Sequence, residues 1–205
     1  MSLVAIINYG MCNLDSVVRA VEACGHSARM VERPRELTNA SKIILPGVGS
    51  FWDGMDELEK RGFPDSLKRE ALECGVPFLG ICLGMQLLAS HGTEGGHRAG
   101  LSFIPGEVVR FEFDDPTLRV PHIGWNEVVQ VKNNPLLENV QDGSDFYFVH
   151  SFHFTCREEY VLSRTFYGSE FVSMVGRDNI FGTQFHPEKS LHNGLKVLKS
   201  FLDLC

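Results

Sequence analysis

A cysteine set between glycines and a histidine followed two residues later by a glutamate are the parts of this chain best suited to chemistry. The first lies in Gly75-Val76-Pro77-Phe78-Leu79-Gly80-Ile81-Cys82-Leu83-Gly84, an apolar strand pattern running into Gly-x-Cys-x-Gly and then a helical pattern. The serine counterpart of this arrangement is a nucleophile elbow, a strained strand-to-helix turn. Glycines on both sides remove the side chains that would collide where the chain folds back. Cys82 then opens a helix, where unpaired N–H groups and the helix dipole favour a thiolate. The N–H of Leu83 is placed to stabilise an oxyanion. The plainer alternative is a structural cysteine in a glycine-rich turn.

A cysteine nucleophile needs a base. In Gly182-Thr183-Gln184-Phe185-His186-Pro187-Glu188-Lys189 a strand pattern stops at a histidine. Pro187 has a fixed φ and restrains His186 towards extended backbone. The i, i+2 spacing lets Glu188 fold back onto one imidazole nitrogen, leaving the other for the thiol; this is the logic of nucleophile, base and orienter. With 8 histidines in the chain, one beside a carboxylate is by itself more often a surface ion pair. The two segments together carry the inference.

The remaining composition narrows the field. The chain has 205 residues, 43% hydrophobic and 22% charged, enough for one domain spanning 1–205 with a substantial core. A formal net charge of -7 gives no general attraction to phosphate backbones or anionic lipid, so neither nucleic acid nor membrane is expected as a partner. Leu3-Val4-Ala5-Ile6-Ile7 is too short for a signal segment and reads as a buried strand, and no apolar run approaches the roughly 20 residues of a membrane span. A cytosolic protein is expected. The cysteines at 12, 24, 74, 82, 156 and 205 form no CxxC pair. Neither a disulfide framework nor a metal site is predicted.

The elements that must position Cys82 and His186 follow from periodicity. Strand patterns at 3–7, 28–31, 42–45 and 76–81 alternate with helical patterns at 14–24, 53–73 and 83–90. Further strands are predicted at 108–111, 127–131, 146–149, 161–166, 171–175 and 183–185, before an amphipathic helix over 194–204. This order predicts an α/β fold: an open, mixed, mainly parallel sheet with helices on both faces and an antiparallel extension in the second half.

Pro46-Gly47-Val48-Gly49, Gly80 to Gly84 and Phe185-His186-Pro187-Glu188, in this order, resemble the class I, triad-type glutamine amidotransferases. Asn8-Tyr9-Gly10-Met11-Cys12-Asn13-Leu14, Pro121-His122-Ile123-Gly124-Trp125-Asn126, Tyr147-Phe148-Val149-His150-Ser151 and Gly182 to Lys189 are similar to one branch, the glutaminase subunits of the imidazole glycerol phosphate synthases of histidine biosynthesis. That resemblance implies hydrolysis of L-glutamine through Cys82, His186 and Glu188, with no cofactor. It further implies a heterodimer in which ammonia passes to a (β/α)8-barrel synthase subunit. Val48 and Gly49 would join Leu83 as oxyanion donors. Gln86, Glu94, His150 and Ser151 would bind substrate, with Glu94 meeting its ammonium group. Trp125, Asn126, Tyr147 and Lys189 would lie at the subunit interface or ammonia exit. Core packing is the alternative for Trp125 and Tyr147, and a solvated surface position for His122 and Lys189.

The sequence departs from that branch at Cys12, Asp15, Phe152-His153 and the tract 91–100. The related glutaminases that supply ammonia for aminating a nucleotide-linked sugar in surface polysaccharide synthesis therefore remain an alternative. A solitary γ-glutamyl hydrolase and a non-catalytic regulatory subunit are the readings from other classes.

Overall fold

The computed structural model describes residues 3–204. Its first half is a β/α succession: β1 (Leu3–Ile7), α1 (Leu14–Ala23), β2 (Ser27–Val31), β3 (Lys42–Gly47), α2 (Phe51–Lys60), α3 (Phe63–Lys68), β4 (Phe78–Cys82) and the single turn α4 (Leu83–Gln86). The second half is mostly strand: β5 (His91–Gly92), β6 (Arg98–Ala99), β7 (Gly106–Arg110), β8 (His122–Gln130), β9 (Ser144–His150), β10 (Phe152–Cys156), β11 (Val161–Tyr167), β12 (Ser169–Arg177) and β13 (Ile180–Thr183), closed by α5 (Leu191–Leu202).

The strands are joined in the order β2-β1-β3-β4-β13-β12-β10-β7-β5-β6, with β11 also pairing β8 and β8 pairing β9. β2, β1, β3, β4 and β13 are parallel neighbours, and β12, β10 and β11 extend the sheet antiparallel. The expected fold class is the observed one. Alternate residues of β1 feed separate cores: Ala5 and Ile7 join Leu45, Phe51, Leu58 and Phe63 on the face covered by α2 and α3. Val4 and Ile6 join Val17, Val21, Leu198 and Phe201 on the face covered by α1 and α5. Burial on both faces explains the unbroken apolar run of β1.

Several boundaries differ from expectation. The helix predicted over 83–90 stops at Gln86 because the carbonyls beyond it are taken by a returning segment: Leu101 N–H donates to Leu87, Phe103 and Ile104 to Leu88, and Ser102 to Ala89. β8 begins at His122 rather than 127, and β10 had no predicted counterpart. Both carry apolar residues beside polar or histidine neighbours, and register against β9 and β7 decides their strand state. β13 ends at Thr183, so Gln184 to His186 continue past the ladder as loop.

Around Cys82 the packing is very close. The residue has φ 54° and ψ -110°, a region costly for any residue but glycine. A Cβ on Gly80 would lie 2.5 Å from the Gly84 carbonyl oxygen, and one on Gly84 would lie 1.7 Å from that of Leu45. Neither obstacle is a flexible side chain. Gly84→Ala is therefore expected to destabilise the fold by about 3 kcal/mol or more. Gly75→Ala meets nothing within 4 Å but has φ +70°, and should cost only about 1–2 kcal/mol. Denaturant unfolding of the two variants checks the difference.

Candidate active site

Three parallel strands end side by side at this site. Register places Gly47 of β3 opposite Cys82 of β4, and Thr183 of β13 opposite Ile81. The Pro46–Gly49 segment, Cys82 and the loop to His186 therefore leave adjacent carboxyl ends of the sheet, where α/β folds place ligand sites. They open on a cavity of about 480 Å³ lined by Val48, Gly49, Cys82, Leu83, Gln86, Glu94, His150, Ser151, Phe152 and His186, among others.

His186 is held from both sides. Its N–H donates to the Tyr147 carbonyl at 2.9 Å. Ser190 Oγ donates to its carbonyl at 2.6 Å and accepts the Tyr147 N–H at 3.0 Å. Nδ1 donates to Glu188 Oε1 at 2.8 Å, and both side chains are only 3% exposed. Nε2 is buried without a hydrogen bond and faces the Cys82 sulfur. Burial pushes the imidazole pKa down, but the charge and proximity of Cys82 and then Glu188 outweigh it, raising the value to about 10. His186 thus holds its proton at neutral pH.

Two glutamines steady the sulfur. Gln184, fully buried, donates from Nε2 to Cys82 Sγ at 3.8 Å and accepts from Gln86 Nε2 at 3.0 Å. Gln86 also donates to the Phe152 carbonyl at 2.9 Å. The same carbonyl accepts from His150 Nδ1 at 2.8 Å. Since a carbonyl only accepts, the His150 proton is on Nδ1, and its Nε2 accepts from His122 Nδ1 at 3.0 Å. His122 Nε2 in turn accepts from Asn126 at 3.3 Å. Burial keeps both imidazoles neutral, pushing His150 to about 3 and His122 to about 4. Hydrogen bonds therefore run unbroken from Asn126 to Cys82.

The expected site residues separate into groups. Cys82, His186, Glu188, Gln86, His150 and Leu83 are brought together, and Ser151 joins the wall. Glu94 reaches the cavity from the β5–β6 turn, with one oxygen accepting the Phe51 N–H at 2.8 Å; burial raises its pKa. Val48 is a wall residue, but its N–H donates to the Met11 carbonyl at 2.8 Å rather than towards Cys82. Gly49 has φ +106°, and a Cβ there would lie 2.6 Å from Met11 Cε.

Trp125, Tyr147 and Lys189 cluster beside His186, the two rings 6.1 Å apart, Lys189 Nζ 6.0 Å from the Tyr147 ring and that ring 6.4 Å from the His186 imidazole, whereas Asn126 donates to His122 and to the Phe166 carbonyl. Trp125 is 50% exposed, so core packing does not describe it. His122 is not a solvated surface residue: it is 2% exposed and stacks on Tyr167 and Phe148. Of the departures, Phe152 lines the cavity, whereas His153 stacks on Phe111 at 4.6 Å.

Sequence reasoning missed Gln184, whose polar side chain just before Phe185, at the end of a buried run, was the available signal.

Among the described residues no helix is long and apolar enough to cross a membrane, and no group of three or more His, Cys, Asp or Glu is arranged to hold a metal ion.

Known proteins resemble this chain in sequence and in fold. Residues 5–204 match the family described as glutamine amidotransferase class-I. The imidazole glycerol phosphate synthase subunit HisH 1 of Campylobacter jejuni strain 81-176 is 48% identical over 202 residues, 98% of this chain and 100% of the relative. The HisH subunit of Moorella thermoacetica is also 48% identical, over 98% of this chain and 94% of its own. Among solved structures, PurLQS from Thermotoga maritima superposes with a TM-score of 0.77 over 98% of each chain at 21% identity, a likeness of fold.

The raised pKa of His186 has a measurable consequence. A folded-state pKa above the unfolded value of about 6.5 contributes stability below that value, lost as pH rises through about 10. Cys82→Ala removes the strongest influences raising it, so the His186 pKa should fall, as read by NMR titration. Stability should then decline less between pH 7 and 10 than in the parent. An unchanged His186 pKa would show that the sulfur does not hold the proton there.

Proposed function

Since the chain belongs to the class-I glutamine amidotransferase family, in the group of HisH subunits, we propose that it hydrolyses L-glutamine to supply ammonia for imidazole glycerol phosphate synthesis in histidine biosynthesis. In this reading it works as a cytoplasmic heterodimer with a (β/α)8-barrel synthase subunit, which receives the ammonia. The carrying observation is a buried imidazole between Cys82 and Glu188 at the wall of a cavity large enough for one amino acid. The HisH names of the relatives favour the histidine pathway over sugar amination.

The chemistry follows from the protonation state. Cys82, as thiolate, attacks the side-chain amide carbon, and the carbonyl oxygen becomes an oxyanion. His186 passes its Nε2 proton to the departing nitrogen as the C–N bond breaks, leaving a γ-glutamyl thioester and ammonia. The now neutral imidazole takes a proton from water, whose oxygen attacks the thioester. Collapse expels the sulfur, releases glutamate and leaves His186 protonated. Glu188 orients the ring and balances its charge. Gln184 steadies the sulfur by donating to it. Glu94 offers a carboxylate to the ammonium end of glutamine.

The oxyanion needs a second donor besides Leu83. Val48 is the candidate, but its N–H is engaged by Met11. Loss of one oxyanion donor typically lowers the rate by about 10²–10³. We therefore read this conformation as a resting state, in which hydrolysis waits for the 47–48 peptide to turn when the synthase subunit docks. Trp125, Tyr147 and Lys189, clustered beside His186, and Asn126 on the same strand as Trp125 would meet that subunit. This observation favours a gated subunit over a solitary hydrolase.

Glutamate release measured with and without the synthase subunit tests the reading. Stimulation of at least about 10²-fold is expected, and equal rates would rule out gating. In the complex, Cys82→Ala should abolish glutamine-dependent synthesis while synthesis from ammonium persists. Glu188→Gln should lose less activity than His186→Ala, because the base remains; equal losses would mean that Glu188 does more than orient. Failure of the gene to rescue a histidine auxotroph lacking this subunit would count against the pathway.

A further inference from the structure

Tyr9 lies two residues past the end of β1, fully buried, and its hydroxyl has no hydrogen-bond partner. Such a group is costly: leaving a buried donor unsatisfied typically forfeits more than a made hydrogen bond gains. A phenylalanine would fill the same space without that cost. The hydroxyl does not line the cavity; it lies behind the segment that carries Val48. A Cβ on Gly47 would lie only 2.2 Å from it, so the oxygen is packed against the Gly47 backbone. Residue 47 must be glycine for the hydroxyl to lie there.

The neighbouring hydrogen bond gives this position meaning. The 47–48 peptide points its N–H at the Met11 carbonyl, two residues beyond Tyr9. In a trans peptide the N–H and C=O point in opposite directions, so the Gly47 carbonyl now points away from Met11. Turning the peptide to present the Val48 N–H to an oxyanion swings the Gly47 carbonyl to the Met11 side. Two carbonyl oxygens would then face each other, with the buried phenol of Tyr9, packed against Gly47, beside them as a donor. Burial, reinforced by the nearby Cys12 and Cys82 sulfurs, raises the Tyr9 pKa well above its ordinary value, so the phenol keeps its proton.

We propose that Tyr9 is a positioning residue whose hydroxyl, unpartnered in the resting state, donates to the Gly47 carbonyl once the 47–48 peptide has turned and so stabilises the oxyanion-competent state. This rests on the glutaminase reading above. The unsatisfied hydroxyl destabilises the resting conformation, and its satisfaction favours the active one. The device thus shifts the equilibrium between the two without touching substrate.

Tyr9→Phe separates this role from packing, since it removes one oxygen and keeps the ring. In the complex with the synthase subunit, kcat for glutamine hydrolysis should fall about 5- to 10-fold, the factor a single neutral hydrogen bond supplies. KM for glutamine and affinity for the synthase subunit should be unchanged. The melting temperature of the free chain should be unchanged or higher, because the variant relieves a buried unpaired group. A kcat equal to that of the parent would overturn the assignment, as would a loss accompanied by a lower melting temperature or a raised KM. The parent complex, run alongside, keeps the two failures apart. Absence of turnover in the parent overturns the functional reading, whereas equal turnover in parent and variant overturns the role of Tyr9 alone.

Discussion

Gly84 packs against the carbonyl of Leu45 with no room for a Cβ, and the geometry of the cavity follows from that contact. It lets the turn after β4 fold directly onto β3, which forces Cys82 to φ 54° and leaves its side chain at the cavity wall. Backbone in that region persists only where the surroundings over-determine it. Here the parallel ladders of β3 and β13 on either side of β4 supply that constraint. The ladders that hold the strained residue also bring up the Val48 segment on one side and His186 on the other.

The polar groups of the site are buried in a largely apolar setting, so each matters energetically. Gln86, Gln184, His122 and His150 are each no more than 6% exposed, and they satisfy one another in a single run of hydrogen bonds from Asn126 to Cys82. The two histidines stay neutral, because burial outweighs any gain from charging them. His186 is equally buried but charged, because it alone lies between a sulfur and a carboxylate. Three imidazoles in one site thus take opposite states for identifiable reasons. Beside this run lie the unpaired hydroxyl of Tyr9 and the diverted N–H of Val48, and both belong to the same few residues next to Cys82.

The element pattern of the first half was legible because each strand there is buried on both faces and reads as an apolar run, while the intervening helices keep a helical period. The second half was less so. β10 and the start of β8 mix histidines with apolar residues, exposed in β8 at Ile123 and Trp125, and only their partners in the sheet make them strands. The helix after Cys82 was expected to be longer because its side chains suit a helix. Competition for its carbonyls by residues 101–104 shortened it, and a contact so distant in sequence leaves no local mark.

The sequence by itself determined the reactive groups and their immediate frame: Cys82 between two glycines, and His186 locked by Pro187 with Glu188 in reach. These are relations over a few residues, set by backbone sterics and short hydrogen bonds. The tertiary structure decided what each group can do. Burial and charge at long range set the protonation of His186, His150 and His122, the convergence of three strand ends made the cavity, and the Met11 carbonyl, brought from the first strand's loop, turned the Val48 N–H aside. Those outcomes depend on solvent exclusion and on contacts between segments dozens of residues apart, for which residue type and spacing carry no signal.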